Sequence, residues 1–191
     1  MKKQWIILVT FTLFILSLQS EAASTGVSFE PLYGVERSQR LYPEPPTYKT
    51  KTFIGVRGIY GTPLLAAELE VSQSNSQDDF PATGEKVKYQ TQRAMLGIRT
   101  YPISSQYFGV FFRAGGRAQK NTREITKSGV TTKEEDPLSL DPYAGTGLTV
   151  AFADNFALSA GATLMYNRNA PSSEQYDTQY TFSFTIRAGN R

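Results

Sequence analysis

Eight segments of this chain alternate apolar with polar residues, a period of two that places the two kinds of side chain on opposite faces of a β-strand. None of the eight shows helical periodicity, and Tyr and Phe, which favour strands, occur 11 and 12 times. The sequence therefore predicts an all-β fold. The segments are residues 27–39, 50–61, 64–74, 86–101, 106–120, 138–152, 156–168 and 176–188.

Short and long connections between these segments alternate strictly along the chain. The short ones are 61–63, 102–105 and 153–155, and the long ones are 40–49, 75–85, 121–137 and 169–175. In an up-and-down antiparallel barrel, alternate connections lie at opposite ends, and membrane barrels have short periplasmic turns and long extracellular loops. This rhythm predicts an eight-stranded antiparallel up-and-down transmembrane β-barrel with both mature termini at the short-turn end.

The composition of the two faces indicates which one points outward. One face carries apolar residues such as Phe112, Leu158 and Phe182, and the other mixes charged residues with Gly, Ala, Ser and Thr. Eight strands enclose a narrow lumen, where small residues leave room for long charged ones. A Lys or Arg facing lipid at mid-bilayer costs ~2–4 kcal/mol. We therefore expect the apolar face to meet lipid; a soluble periplasmic carrier barrel, with the faces reversed, is the alternative.

Charged residues of the other face predict an ionic network inside the barrel. A turn centred near residues 62–63 places Arg57 opposite Glu68, and closure of the barrel brings Arg187 near Glu30. Buried charges require partners, and Arg stays ionised while its fork holds carboxylates. We expect a salt-bridged plug, with a narrow ion path as the alternative. The predicted members are Glu30, Glu36, Arg57, Glu68, Glu70, Arg93, Arg99, Arg113, Arg117, Asp141 and Arg187.

The first 22 residues have the pattern of a cleavable signal peptide. A basic start is followed by an apolar run, residues 6–18, which is short for a membrane helix. Ser20 and Ala22 fit the small-x-small rule, so cleavage is expected after Ala22. We assign residues 1–22 to the signal peptide and 23–191 to the barrel domain; an uncleaved anchor is the alternative.

Two segments are similar to strands of a known superfamily. The run 141–148 (Asp-Pro-Tyr-Ala-Gly-Thr-Gly-Leu) and the final strand around 180–184 (Tyr-Thr-Phe-Ser-Phe) are the ones concerned. The mature chain resembles the OmpA-like and OmpX-like outer-membrane barrels. The resemblance implies a location in the cell outer membrane of a Gram-negative bacterium and insertion by the barrel-assembly machinery. We expect a monomer.

The sequence offers no recognisable catalytic or metal site. It has no His and no Cys, so the commonest general base and the commonest metal ligands are absent. The acidic clusters in the loops, 78–79 and 134–136, lack the spacing of a calcium loop. We expect no cofactor and no enzymatic activity; a lipid-modifying enzyme is the least favoured alternative.

Basic residues near the long connections are candidate contacts for lipopolysaccharide phosphates. Ordinary loop charge is the alternative interpretation. The function that we expect is structural or surface-interacting, through the extracellular loops, of which 121–137 is the longest; a small-solute or ion channel is the alternative. The candidate contacts are Lys49, Lys51, Lys86, Lys88, Lys120, Arg123 and Arg168.

Overall fold

The structure, a computed structural model, describes residues 25–40, 47–62, 64–80, 84–168 and 175–188. The predicted signal peptide, residues 1–22, lies outside the described residues. Within these ranges no helix is long and apolar enough to cross a membrane. The strands are β1 (Gly26–Arg40), β2 (Thr47–Gly61), β3 (Ala66–Phe80), β4 (Glu85–Ser104), β5 (Phe108–Lys127), β6 (Val130–Glu135), β7 (Ser139–Ala153), β8 (Phe156–Tyr166) and β9 (Tyr176–Ala188).

Eight of these strands close into an antiparallel barrel. Each neighbour in the order β1-β2-β3-β4-β5-β7-β8-β9 is paired, and β9 pairs back onto β1. The remaining strand, β6, pairs with the upper part of β5, where "upper" means towards the long connections. The predicted eight-stranded up-and-down fold is confirmed, with β6 as an addition inside the third long connection.

The first short turn sets a register that differs from the predicted one. Thr62 N–H donates to the carbonyl oxygen of Leu65 at 3.1 Å, so the turn is centred one residue later than expected. As a result Arg57 lies directly opposite Glu70, and Ile59 lies opposite Glu68. The predicted direct pairing of Arg57 with Glu68 is therefore wrong by two residues.

Two of the predicted long loops consist mostly of strand. β3 and β4 stay paired up to Phe80 and Glu85, and β5 turns at Ser128 and Gly129 into β6. Both turn residues have positive φ, 51° and 83°, as a two-residue hairpin turn requires. The upper parts of β3, β4 and β5 (residues 74–80, 85–91 and 121–127) together with β6 form a four-stranded sheet, called here the projecting sheet.

Side chains of the barrel wall are sorted as the alternation predicted. Phe112 and Phe182 are 50% and 66% exposed on the outer surface, whereas Arg113 and Glu68 are buried inside. On β9 the burial alternates at almost every residue. The apolar outer residues form a continuous belt, and above it the outward residues of β3, β4 and β5 become polar.

Candidate functional site

Three glutamates and three arginines form a lower ionic layer in the half of the lumen nearer the short turns. Arg57 donates to Glu70 at 2.7 Å through Nη2 and to Glu30 at 2.8 Å through Nη1. Arg99 donates from Nε to Glu68 at 2.8 Å. All six side chains are at most 4% exposed. They are Glu30, Arg57, Glu68, Glu70, Arg99 and Arg113.

Glu30 links four strands within this layer. Its carboxylate accepts hydrogen bonds from Arg57 of β2, from Arg99 of β4 at 3.1 Å, and from Thr185 of β9 at 2.9 Å. Ser183, also on β9, lies 3.4 Å away. Burying a carboxylate costs several kcal/mol of solvation, which such a set of donors offsets.

A second, upper ionic layer lies nearer the long connections. Arg93 forms an ion pair with Glu36, and Lys51 Nζ lies 3.6 Å from the same carboxylate. Arg117 reaches Asp141 at 3.4 Å and Asp177 at 3.8 Å. The three acids and three bases balance in charge, as they do in the lower layer. The members are Glu36, Lys51, Arg93, Arg117, Asp141 and Asp177.

Apolar side chains separate the two ionic layers. Leu32, Phe53 and Met95 are buried, and each lies between a lower-layer and an upper-layer residue of its own strand. Below the lower layer, the guanidinium of Arg99 lies 4.3 Å from the ring centroid of Phe111, which in turn contacts Tyr101 edge-on. Side chains therefore fill the lumen at successive levels, and we call this filling the plug.

Sequence reasoning missed one member of the plug and placed another wrongly. Asp177 was absent from the predicted set, although it shares a face with Gln179 of β9. Lys51 was predicted to contact lipopolysaccharide, but its side chain points into the lumen and donates to Thr91 at 3.1 Å. Arg187, predicted to lie near Glu30, is paired with Ser28 at the short-turn end and is partly exposed.

The other predicted lipopolysaccharide contacts divide between the two sides of the wall. Lys49 and Arg123 face inward, where Lys49 pairs with Asp78 and Arg123 with Asp136. Both therefore lie on the inward face of their strands, where acids already pair with them. The outward and exposed members are Lys86, Lys88, Lys120 and Arg168.

Among the described residues, the projecting sheet ends at an open strand edge. β6 pairs with β5 on one side, and all six of its residues are exposed. On its outer face, hydrogen bonds from Lys120 and Lys133 lower the pKa of Glu135 to about 2 from its ordinary 4.5. At the opposite side of the sheet, backbone pairing of β2 with β3 stops at Ile54 and Gln73, and above that point β2 contacts the sheet through side chains, as in the Lys49–Asp78 ion pair.

Solved structures share this architecture, whereas no protein-family model and no curated protein matches the sequence. The attachment invasion locus protein Ail of Yersinia pestis is 9% identical, with 87% of this chain and 99% of that chain covered and a TM-score of 0.56. The fold is that of an eight-stranded outer-membrane barrel. OprG of Pseudomonas aeruginosa is 11% identical over 88% of this chain and 97% of its own, with a TM-score of 0.55. Neisserial surface protein A is 16% identical over 88% and 99%, with a TM-score of 0.50.

Proposed function

We propose that this chain is a plugged barrel of a Gram-negative outer membrane, and that it holds the projecting sheet outside the cell for contacts with other surfaces. Residues 1–22 direct export, and the barrel-assembly machinery inserts residues 23–191 as a monomer. The observation that carries the proposal is the inverted polarity of the wall, with paired charges inside and apolar side chains outside. Such a wall suits a hydrocarbon environment.

The soluble carrier alternative conflicts with this polarity. In water, the outer surface would expose Phe112, Leu158 and Phe182 together, each at least half exposed. Soluble monomers rarely expose contiguous apolar patches beyond a few hundred Å². The interior of a carrier would also need an apolar cavity, whereas the lumen here holds two ionic layers.

The open edge of β6 supports the surface-contact part of the proposal. An exposed edge strand can accept an extended peptide as an additional strand, through backbone hydrogen bonds. Asp136 N–H donates to the carbonyl oxygen of Asn121, so even-numbered residues of β6 direct their N–H groups at β5. The N–H of Lys133 then points to the open edge. A similar fold in a protein named for attachment and invasion is compatible with this role.

A pair of epitope insertions tests the location and orientation. One tag is inserted between Ser128 and Gly129, at the tip of the projecting sheet, and the matched control between Asp154 and Asn155, in a short turn. We expect antibody to label the first tag on intact cells and the second only after the outer membrane is permeabilised. Labelling of both or of neither on intact cells would refute the proposed orientation.

Two substitutions at one position test the surface contact. Lys133→Pro removes the edge N–H, and Lys133→Ala removes the same charge but keeps that donor. Cells that display each variant are compared for adherence to a layer of cultured host cells. We expect adherence to fall with Lys133→Pro and to persist with Lys133→Ala; equal adherence of both variants would exclude strand addition at β6.

No catalytic step is part of the proposal. The buried carboxylates of the lower layer are held by arginine side chains, with Glu70 receiving hydrogen bonds from both Arg57 and Arg113. A carboxylate fixed in this way is a poor general base, because its negative charge is already stabilised.

A further inference from the structure

The outer surface of the barrel carries a groove of about 510 Å³ at the upper end of the apolar belt. Its volume lies within the ~300–1,000 Å³ range of small-ligand sites. The floor is formed by β5, and the two walls by β3 and β4 on one side and β7 on the other. The lining residues on the outward face of the wall include Leu69, Leu96, Gly116, Ala118, Leu140 and Pro142.

The groove exists because β5 lacks side-chain volume here. Gly116 is on the outward face, and a Cβ atom added to it would meet no heavy atom within 4 Å. Ala118 follows on the same face, and the neighbours opposite Gly116 are Leu96 on β4 and Pro142 on β7. Larger side chains therefore stand on both sides of an apolar floor.

Two cations lie at the upper end of this groove. Lys120 follows Ala118 on the outward face of β5, and the guanidinium of Arg168 lies 3.5 Å from the carbonyl oxygen of Leu140 in the groove wall. The Arg168 side chain is 73% exposed, and its Nε lies 4.0 Å from Asp141 Oδ1, which leaves its other guanidinium donors for a second anion. Lys120 pairs with Glu135 at 2.6 Å, but an ammonium group has three donors and can bind a second anion.

We propose that this groove binds one acyl chain of lipopolysaccharide, with a phosphate of the same lipid on Lys120 and Arg168. The inference rests on the proposed outer-membrane location, since the long connections then point outward and the groove faces the outer leaflet. An apolar site in the belt and cations just above it match a lipid that carries both fatty acyl chains and phosphates.

Packing and charge determine the affinity of such a site. Lipid tails are as apolar as the side chains of the belt, so transfer of an acyl chain from the surrounding lipid into the groove gives no hydrophobic gain. An acyl chain that fills the groove gains dispersion contacts that a chain spanning over it would lose. Phosphate oxygens gain charge-assisted hydrogen bonds from guanidinium and ammonium groups.

Filling the groove tests this proposal, and the barrel offers a matched control. Gly58, on β2, is also outward-facing with open space beyond it. The mature wild type, Gly116→Leu and Gly58→Leu are folded in detergent micelles and mixed with bisphosphorylated hexa-acylated lipid A. Native mass spectrometry then measures the fraction of barrel that retains one lipid. We expect affinity to fall about tenfold with Gly116→Leu, equivalent to ~1.4 kcal/mol, and to stay unchanged with Gly58→Leu.

A second comparison tests the phosphate contacts. The double variant Lys120→Gln with Arg168→Gln should bind lipid A more weakly than the wild type does. Its affinity for lipid A should fall close to its affinity for phosphatidylglycerol, which carries one phosphate. Equal retention by Gly116→Leu and wild type, or an equal loss with Gly58→Leu, would overturn the proposal. Shifted migration of unboiled samples on a gel shows that each variant is folded. A barrel that folds without binding lipid A refutes the groove alone, whereas the epitope insertions test location independently.

Discussion

Neutralising Glu30 is the sharpest test of the plug, because this carboxylate joins four strands. Glu30→Gln keeps the size of the side chain and removes its charge. The lower layer would then hold three arginines against two glutamates, with Arg57 and Arg99 each losing a charged acceptor. Thr185 would retain a neutral carbonyl as its acceptor.

The structure supports a large loss of stability for this change. Breaking a buried ion pair by removing one partner typically costs ~3–5 kcal/mol, because the other charge stays buried without compensation. Glu30 is fully buried and has two arginine partners. The partial acceptor capacity of Gln offsets some of the loss. We therefore expect Glu30→Gln to lower the free energy of unfolding by ~3 kcal/mol.

Reversible urea unfolding of the barrel in lipid vesicles measures this change, with Glu135→Gln as the exposed control. Glu135 contacts Lys120 and Lys133, whose side chains are about half exposed, so its loss should leave the unfolding midpoint unchanged. A Glu30→Gln barrel within about 1 kcal/mol of wild type would refute the argument that the plug depends on paired charge.

A double-mutant cycle shows whether the loss arises from the ion pair itself. Arg57→Met removes the cation nearest to Glu30 while keeping much of the apolar volume. If Arg57 and Glu30 interact directly, the double variant should be more stable than the sum of the single losses predicts. Additive losses would assign the effect to packing rather than to charge.

Three further predictions follow from the wall, the hairpin and the plug. Gly34→Ala should lower the free energy of unfolding by ~1–3 kcal/mol, since its Cβ would clash with the Phe53 ring and the wall backbone. Gly58→Ala, whose Cβ would meet open space, should leave the free energy of unfolding unchanged in the same urea assay. In carbon-detected NMR the Glu135 carboxyl should titrate with a pKa near 2, and Lys120→Met should raise that pKa towards 4.5. The ion pairs of Glu135 are therefore fully formed above the ordinary pKa and are lost as the pH falls towards 2. The wild type in a planar bilayer should show no sustained large conductance, because side chains fill the lumen at several levels.

The sequence was sufficient to assign faces, and less so to assign partners. A turn centred one residue later changes the pairing by two residues, which keeps every side chain on its face. Glu68 and Glu70 therefore lie inside as expected, while each is shifted by two residues along β2, so that Glu70 takes the place opposite Arg57 and Glu68 lies opposite Ile59. An error of this kind does not change the face on which a residue lies, but it does change the residue with which it forms an ion pair.

The ends of strands escaped prediction for a related reason. Above the belt most outward residues are polar like the inward ones, so the apolar-polar alternation that marks a strand disappears from β3 and β5. Residues 75–80 and 121–127 are polar except for Phe80 and Ile125 and were predicted as loops, although they are fully paired. Lys51 and Asp177 lie near this boundary, and parity with Arg57 and Gln179 was the signal that could have placed them inside.

The plug and the projecting sheet share the same three strands. β3, β4 and β5 supply half of the charged residues in the two ionic layers, and these strands also continue upward into the sheet. The sheet is therefore a continuation of the most strongly cross-linked part of the wall, which favours a rigid display over a mobile loop. If this coupling holds, Glu30→Gln should raise amide exchange in β4 and β5 above the belt as well as within it. The plug residues on the three strands are Glu68, Glu70, Arg93, Arg99, Arg113 and Arg117.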